Sequence, residues 1–362
     1  MNQIVRPPKA DTVCKDAGET ARRSFLGSIP RKGGRQSAGN LAAVTNDTPA
    51  GRIPRTSSDF TRADRFAAWQ ARWGINRASW RIEPGLYALR APSADSSVFA
   101  TANYKFSFDE LRKNLKGLDA WLLVLDTNGI NVWCAAGKGT FGTLELVRSI
   151  MGTGLEKQVN HKTVILPQLG APGVAAHRVK AYTGFSVVYG PVRAEDIPEF
   201  LRRNGKANPE MRKVRFDFTD RVILAPIELV SFGKYLLPAA ALLYLAGLKA
   251  DAALVLAALL AGAVLAPALL PWLPGRSFAV KSAAAGLAAM AALFPFLSLD
   301  PYQFLARALI YVPTASFIGL DFTGASTYTS LSGVKKEMRI AMPAQALSLL
   351  AGLAMLALRR FL

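Results

Sequence analysis

Residues 120–143 read AWLLVLDTNGINVWCAAGKGTFGT, and the first six of them decide the fold. The run AWLLVL is almost wholly apolar and shows no alternation. A strand with one wet face alternates, so a run of this kind is expected of a strand covered on both faces, as in a parallel sheet flanked by helices. Working outward, short strand-like and longer helix-like patterns keep alternating. Residues 86–89 and 98–102 are strand candidates. Ser107-Phe108-Asp109-Glu110 has capping-box spacing and predicts a helix reaching about Lys116. Beyond the run, the pattern predicts a helix over 143–151, a strand over 163–166, helices over 174–182 and 195–203 around a strand at 185–188, and a last strand at 214–218. Residues 59–223 therefore read as one domain built on an open, mostly parallel α/β sheet. Ligands on such sheets sit beyond the C-terminal ends of the strands, which directs attention to the loop after Leu125.

The flanks have different chemistry. Residues 1–58 are rich in Arg, Lys, Ser, Gly, Thr and Pro with no sustained apolar period, and are expected to form a disordered basic arm. No apolar core of 7–15 residues stands at its start, so no secretory signal is expected. Residues 224–362 hold only 15 of the 69 charged side chains in the chain. Five spans there, roughly 227–248, 252–273, 278–299, 303–320 and 338–358, approach the ~20 residues that cross a ~30 Å hydrocarbon layer. Glu228, Lys234 and Arg307 fall inside or beside these spans and must sit at an interface or face other helices. A net charge of +19 would suit nucleic acid. In a chain with apolar spans it points instead to cytoplasmic loops beside the anionic inner leaflet, so no nucleic-acid partner is expected and membrane lipid is. With the α/β domain in the cytoplasm, inner loops hold Arg276, Lys281, Lys335, Lys336 and Arg339, and outer segments Lys249, Arg359 and Arg360. That bias predicts a multi-pass protein of the inner membrane with its N-terminus inside and its C-terminus outside.

The loop after Leu125 carries the chemistry. A P-loop requires G-x-x-x-x-G-K-[ST], but Gly137-Lys138 is followed by Gly139 and Val132 stands where the first glycine should be. Gly137-Lys138-Gly139-Thr140-Phe141-Gly142 fits G-x-G-x-x-G, yet it does not directly follow its strand. The next strand also runs into Pro167-Gln168-Leu169-Gly170 with no acid for a ribose, so the dinucleotide reading fails on context. What remains is Cys134 in a short predicted helical turn. If residues 131–138 are helical, Asn131, Gly137 and Lys138 share a face with Cys134. Ala135 and Ala136 are small and Gly137 has no side chain, so a large flat ligand can approach with the sulfur toward it. Lys138 and a nearby helix N-terminus both favour thiolate, a soft ligand for a transition metal. The only other cysteine is Cys14, in the arm, so two sulfurs exclude a disulfide scaffold, a zinc finger and a self-supplied iron–sulfur cluster. Any metal at Cys134 would have to arrive held by a macrocycle. The competing reading is that Cys134 is a buried small hydrophobe and Trp133 a core residue. His161 and His177 are isolated and read as non-catalytic.

The residues Asn131-Val132-Trp133-Cys134-Ala135-Ala136-Gly137-Lys138 resemble, at all eight positions, the cap-helix motif N-[VI]-W-C-A-[AG]-G-K of the mercury-methylating corrinoid proteins, the HgcA family. Asp126-Thr127-Asn128-Gly129, Gly139-Thr140-Phe141-Gly142-Thr143, Ile165-Leu166-Pro167-Gln168-Leu169-Gly170 and Phe322-Thr323-Gly324 extend the likeness, which covers about residues 80–362. The large subunit of the corrinoid iron–sulfur protein of acetyl-CoA synthesis is a related family that shares the α/β domain, but it carries a cluster domain and no membrane helices. The resemblance implies an α/β Rossmann-like corrinoid-binding domain followed by an all-α transmembrane domain of about five helices. It implies a cobalamin-type corrinoid whose cobalt takes Cys134 as lower axial ligand, with Asn131, Val132, Trp133, Ala135, Ala136, Gly137 and Lys138 around it. The implied reaction is transfer of a methyl group from methyl-Co(III) corrinoid to Hg(II), giving methylmercury, after loading from a methyl-tetrahydrofolate-type donor. A thiolate trans to the methyl group pushes electron density onto carbon, which suits a soft acceptor. A ferredoxin-like iron–sulfur protein, HgcB in that family, is the implied reductant, and the segment 323–337 is an expected place for it to dock. The alternative is a membrane-bound corrinoid methyl carrier of one-carbon metabolism, resembling that of the acetyl-CoA pathway, with another native acceptor.

Overall fold

The computed structural model describes residues 46–48, 51–75, 80–325 and 331–359. It divides into two compact units. One holds the described residues up to Asp59 with Arg81–Ala207, and the other Phe60–Trp80 with Asn208–Leu362.

The first unit is a mixed α/β sheet. Its strands are β3 (Arg55–Thr56), β4 (Gly85–Leu89), β5 (Val98–Ala102), β6 (Ala120–Leu125), β7 (Thr163–Leu166) and β8 (Ser186–Tyr189), after a separate hairpin of β1 (Asn46–Thr48) and β2 (Gly51–Ile53). The sheet order is β3-β4-β6-β5-β7-β8, with β4 antiparallel to β6 and the other neighbours parallel. All six residues of β6 are buried. Trp121, Leu123 and Leu125 join the core formed with Ala135, Leu146 and Val179. On the opposite face, Tyr87 packs edge-on against Phe108, ring centroids 5.4 Å apart. The unbroken apolar run thus reflects two covered faces.

Several expectations change. The helix predicted to open at the Ser107 capping box instead spans Lys105–Asn114, starting at Tyr104 with no side-chain cap. Asp109 is taken by cations: Lys105 Nζ lies 2.6 Å and Arg112 Nε 2.8 Å from its carboxylate, all three side chains buried. The helix begins two residues before Ser107, which places that serine inside its first turn rather than at its cap. Arg112 Nη1 also donates to the carbonyls of Ser57 (2.7 Å) and Asp59 (3.2 Å). Those contacts and β3 give residues 55–59 a place in the α/β unit, where the sequence suggested part of a disordered arm. Residues 1–45, Cys14 among them, lie outside the described residues. The predicted strand over 214–218 is not a strand. Phe216 is buried with Leu270, Phe278 and Phe322, and Asp217 caps a short helix, Phe218–Val222. Residues 214–222 belong to the second unit; the sheet unit's helices besides Lys105–Asn114 are Val132–Lys138, Thr143–Gly152, Ala176–Thr183 and Ile197–Arg202.

The second unit contains five helices long and apolar enough to cross a membrane, Phe218–Leu245, Lys249–Ala268, Phe278–Phe296, Pro301–Phe322 and Gly333–Leu358. The expected docking segment 323–337 is largely helix, since one helix runs to Ala325 and the next begins at Leu331. Residues 326–330 lie outside the described residues.

Candidate functional site

Strands β5 and β6 run parallel in register, Ala102 beside Leu125, so Asn103 and Asp126 emerge side by side at their C-terminal ends. Asn103 is 4% exposed and organises the loop that follows β6. Its Oδ1 accepts from Thr127 N (3.0 Å), Thr127 Oγ1 (2.9 Å) and Gly129 N (2.9 Å), while its Nδ2 donates to Asp126 Oδ1 at 3.2 Å. Ile130 O also lies 2.7 Å from Thr127 Oγ1, so the single hydroxyl hydrogen is shared between Ile130 O and Asn103 Oδ1. Asn128 (φ 58°) and Gly129 (φ 72°) take left-handed conformations in succession, and the loop turns back over the strand ends.

That turn delivers Asn131 as the N-cap of the helix Val132–Lys138. Its Oδ1 accepts the backbone N–H of Cys134 at 2.9 Å. Cys134 therefore stands in the first turn, where aligned peptide dipoles favour negative charge. Val132, Ala135 and Ala136 are buried in the sheet core. Asn131, Trp133 and Cys134 are half-buried, and Gly137 and Lys138 are exposed. A Cβ built on Gly137 would meet nothing within 4 Å, so the helix leaves open space one turn past the sulfur. Gly139 ends the helix in the left-handed region, φ 81°, and its N–H donates to Ala136 O.

The helix is held from behind by the segment that follows β7. A Cβ on Gly173 would collide with the carbonyl oxygen of Phe141 and sit 3.2 Å from Ala136 Cα, so only glycine permits this approach. Gln168, at the start of the same segment, keeps its Oε1 buried with no hydrogen-bond partner. Nearby, Asp126 N donates to Glu145 Oε1 at 3.2 Å, and burial pushes the Glu145 carboxyl above its ordinary range, outweighing that hydrogen bond and Arg148.

The eight residues singled out from sequence thus lie on one capped helix, divided into a core face (Val132, Ala135, Ala136) and an outer face carrying Cys134. Asn103 was missed. Its signal was an asparagine closing an apolar strand, but its role needed the β5–β6 register. Among the described residues there is no group of three or more His, Cys, Asp or Glu placed to hold a metal. The donor set is a single sulfur beside an open surface, with an unmet amide acceptor on the segment packed behind. That arrangement fits a metal brought in by a macrocycle.

Fold and site define a class: a thiol-presenting cap helix at the strand ends of a largely parallel sheet, in a chain that also carries five membrane-length helices. Comparison with known proteins narrows it. Residues 75–201 match the CdhD family, described as the CO dehydrogenase/acetyl-CoA synthase delta subunit. The chain is 32% identical over 130 residues to the acetyl-CoA decarbonylase/synthase complex subunit gamma of Archaeoglobus fulgidus, covering 35% of this chain and 27% of that protein. Subunit gamma of Methanopyrus kandleri is 32% identical over 132 residues, 36% and 28% of the two chains. That of Methanothermobacter thermautotrophicus is 33% identical over 122 residues, 33% and 26%. The chain therefore spans 25–28% of the length of the curated relatives it matches. The family match contains Asn103, Cys134 and Gln168 and ends before the five long helices.

Proposed function

We propose that this chain is a membrane-anchored corrinoid protein that carries a methyl group in one-carbon chemistry, and that Cys134 would hold the corrinoid's cobalt through its sulfur. The observation that carries the reading is the Asn131-capped helix, which fixes Cys134 in its first turn beside the open surface at Gly137. The match of residues 75–201 to the CdhD family, and the likeness of the chain to acetyl-CoA decarbonylase/synthase gamma subunits, support the one-carbon setting.

When bound, the corrinoid supplies a metal that can take up and release a methyl group. The chain's own residues do the rest. Asn103 locks the loop, Asn131 orients the first turn, and Gly173 lets the helix seat against its support. Cys134 would hold the metal through its sulfur, and Gly137 leaves room for a flat ring. Trp133 flanks the sulfur, and Lys138 adds positive charge on the same outer face. With two cysteines in the chain, the electrons would come from a separate reductant, of which the ferredoxin-like HgcB type is the proposed example. The proposed placement is the inner membrane, sheet unit in the cytoplasm and C-terminus outside, supported by the excess of Lys and Arg in the loops assigned inside. A reporter fused after Leu362 that is active only outside agrees with it; one active only in the cytoplasm overturns it.

A second reading specifies Hg(II) as the acceptor. It is favoured by the eight-residue likeness at Asn131–Lys138 to the mercury-methylating family, and by the membrane-length helices beyond the segment matched in the gamma subunits. One experiment separates the two. Full-length protein is charged anaerobically from isotopically labelled methyl-tetrahydrofolate with its donor methyltransferase, then given Hg(II). Labelled protein with no labelled methylmercury supports the carrier alone, and labelled methylmercury supports the second reading. Failure of the wild-type chain to take label, or uptake equal to that of Cys134→Ala, overturns both.

A further inference from the structure

Helix Arg62–Arg72 (RADRFAAWQAR) is not part of the site described above, and its two sides differ in chemistry. It opens with a reciprocal capping box: Asp64 N donates to Thr61 Oγ1 at 3.1 Å, and Thr61 N to Asp64 Oδ2 at 3.1 Å. Asp64, Ala67 and Ala71, at i, i+3 and i+7, are buried. Phe66, Trp69 and Trp73 follow the same spacing half a turn away, on the opposite side. Their rings form a continuous ladder, centroids 5.7 Å apart for Phe66–Trp69 and 5.3 Å for Trp69–Trp73. The ladder faces outward, with Phe66 58% and Trp69 46% exposed. Arg62 lies in the same sector, Arg65 and Arg72 flank it, and all three are exposed.

We propose that this helix lies in the plane of the membrane interface, with the Phe66–Trp69–Trp73 ladder among the lipid headgroups and Arg62, Arg65 and Arg72 on anionic lipid phosphates. Two observations choose the bilayer over a protein partner. First, the helix belongs to the same compact unit as the five long helices, and a Cβ on Gly74, just past its end, would lie 3.6 Å from Ile227 Cγ2 near the start of the first of them. The ladder is therefore continuous with the surface from which an apolar span emerges. Second, tryptophan and phenylalanine interleaved with arginine match the wet and apolar halves of the interface, and exposed arginines on the cytoplasmic side complement its anionic leaflet. The inference rests on the reading that the five helices span a membrane.

The test uses the full-length chain in phosphatidylcholine vesicles, with or without phosphatidylglycerol, containing lipids brominated either near the headgroup end of the acyl chain or near its tail. Trp69 and Trp73 are two of six tryptophans. Trp69→Phe/Trp73→Phe is expected to lose about half of the emission quenched by shallow bromine and little of that quenched by deep bromine. Arg62→Gln/Arg65→Gln/Arg72→Gln, which keeps the ladder, is expected to lose the rise in shallow quenching that phosphatidylglycerol brings. Equal shallow quenching in wild type and the tryptophan variant overturns the proposal. So does loss from the deep probe alone, or shielding of Trp69 from aqueous iodide with no bromolipid quenching, which would mean that protein covers the ladder. Alkaline carbonate extraction keeps the two readings apart: release of the wild-type chain defeats the membrane spans themselves, whereas retention without ladder quenching defeats only this inference.

Discussion

Both units bury side chains that close on one another, Lys105 and Arg112 on Asp109 in the sheet unit and Arg307 on Asp251 in the helical unit, but only the sheet unit also turns side chains on the backbone of a site loop. In the sheet unit, Asn103 and Asn131 point their side chains at backbone: one amide oxygen gathers three donors of a loop, another caps the helix that presents Cys134. In the helical unit, buried polar groups mainly satisfy one another or stray carbonyls. Arg307 makes two 2.9 Å hydrogen bonds to Asp251, and Tyr311 Oη donates to Asp251 Oδ1 at 3.0 Å. Arg221 donates to Phe216 O (2.9 Å) and Pro267 O (3.0 Å), and Lys281 Nζ to Leu270 O and Leu273 O. Side chains that converge on one loop's backbone shape a surface for something else. Side chains that close on each other hold helices together and leave nothing to offer a ligand.

That contrast can be broken by substitution. The largest effect is expected from Cys134→Ala, which removes the sulfur and should reduce methyl transfer at least 100-fold in a single-turnover assay with little change in thermal stability. Arg307→Met should do the reverse: it leaves Asp251 without its main partner, costs about 3–5 kcal/mol of helical-unit stability, and leaves the absorption spectrum of the loaded protein unchanged. Recovery of most of that loss in Asp251→Leu/Arg307→Met would confirm that the pair is structural. Asn103→Ala strands two backbone donors, Thr127 N and Gly129 N, and should cost ~2–3 kcal/mol in denaturant unfolding of the sheet unit, together with a tenfold or greater loss of transfer. Gly173→Ala should shift the cap helix and cost ~1–3 kcal/mol, with weakened corrinoid retention on gel filtration. The smallest effect belongs to Glu145. Its carboxyl titrates above the ordinary range because it is buried, so its contribution to stability is present at low pH and is lost as pH rises through the raised value. Glu145→Gln should flatten the stability profile across that rise, visible as melting temperatures that differ less between mildly acidic and neutral buffer.

The apolar runs at β5, β6 and β7 were legible in the sequence because a strand buried on both faces admits few other readings. The five long helices were legible for a similar reason, down to the requirement that Arg307 sit at an interface or face another helix. The failures share a cause. The Ser107–Glu110 spacing signalled a cap, but the helix starts at Lys105, where Lys105 and Arg112 close on the buried Asp109, and Ser107 falls inside it. The alternation at 214–218 imitated a strand, yet its apolar member Phe216 was drawn into a cluster with Phe278 and Phe322 from far along the chain. β3 is two residues long, too short for any periodicity, and is held by pairing with β4 and by Arg112. At the site, the helix and its half-buried cysteine could be read locally. Asn103 and Gly173 could not, because each acts on residues more than twenty positions away.

The most direct test is a cobalt count and absorption spectrum of the anaerobically purified full-length chain, expressed with ample corrinoid, beside Cys134→Thr. One cobalt per chain in both proteins, with a sulfur-dependent band present in the first and absent from the second, is the predicted result. A colourless wild-type protein without cobalt, or identical spectra for the two, would contradict the assignment of Cys134 to the metal.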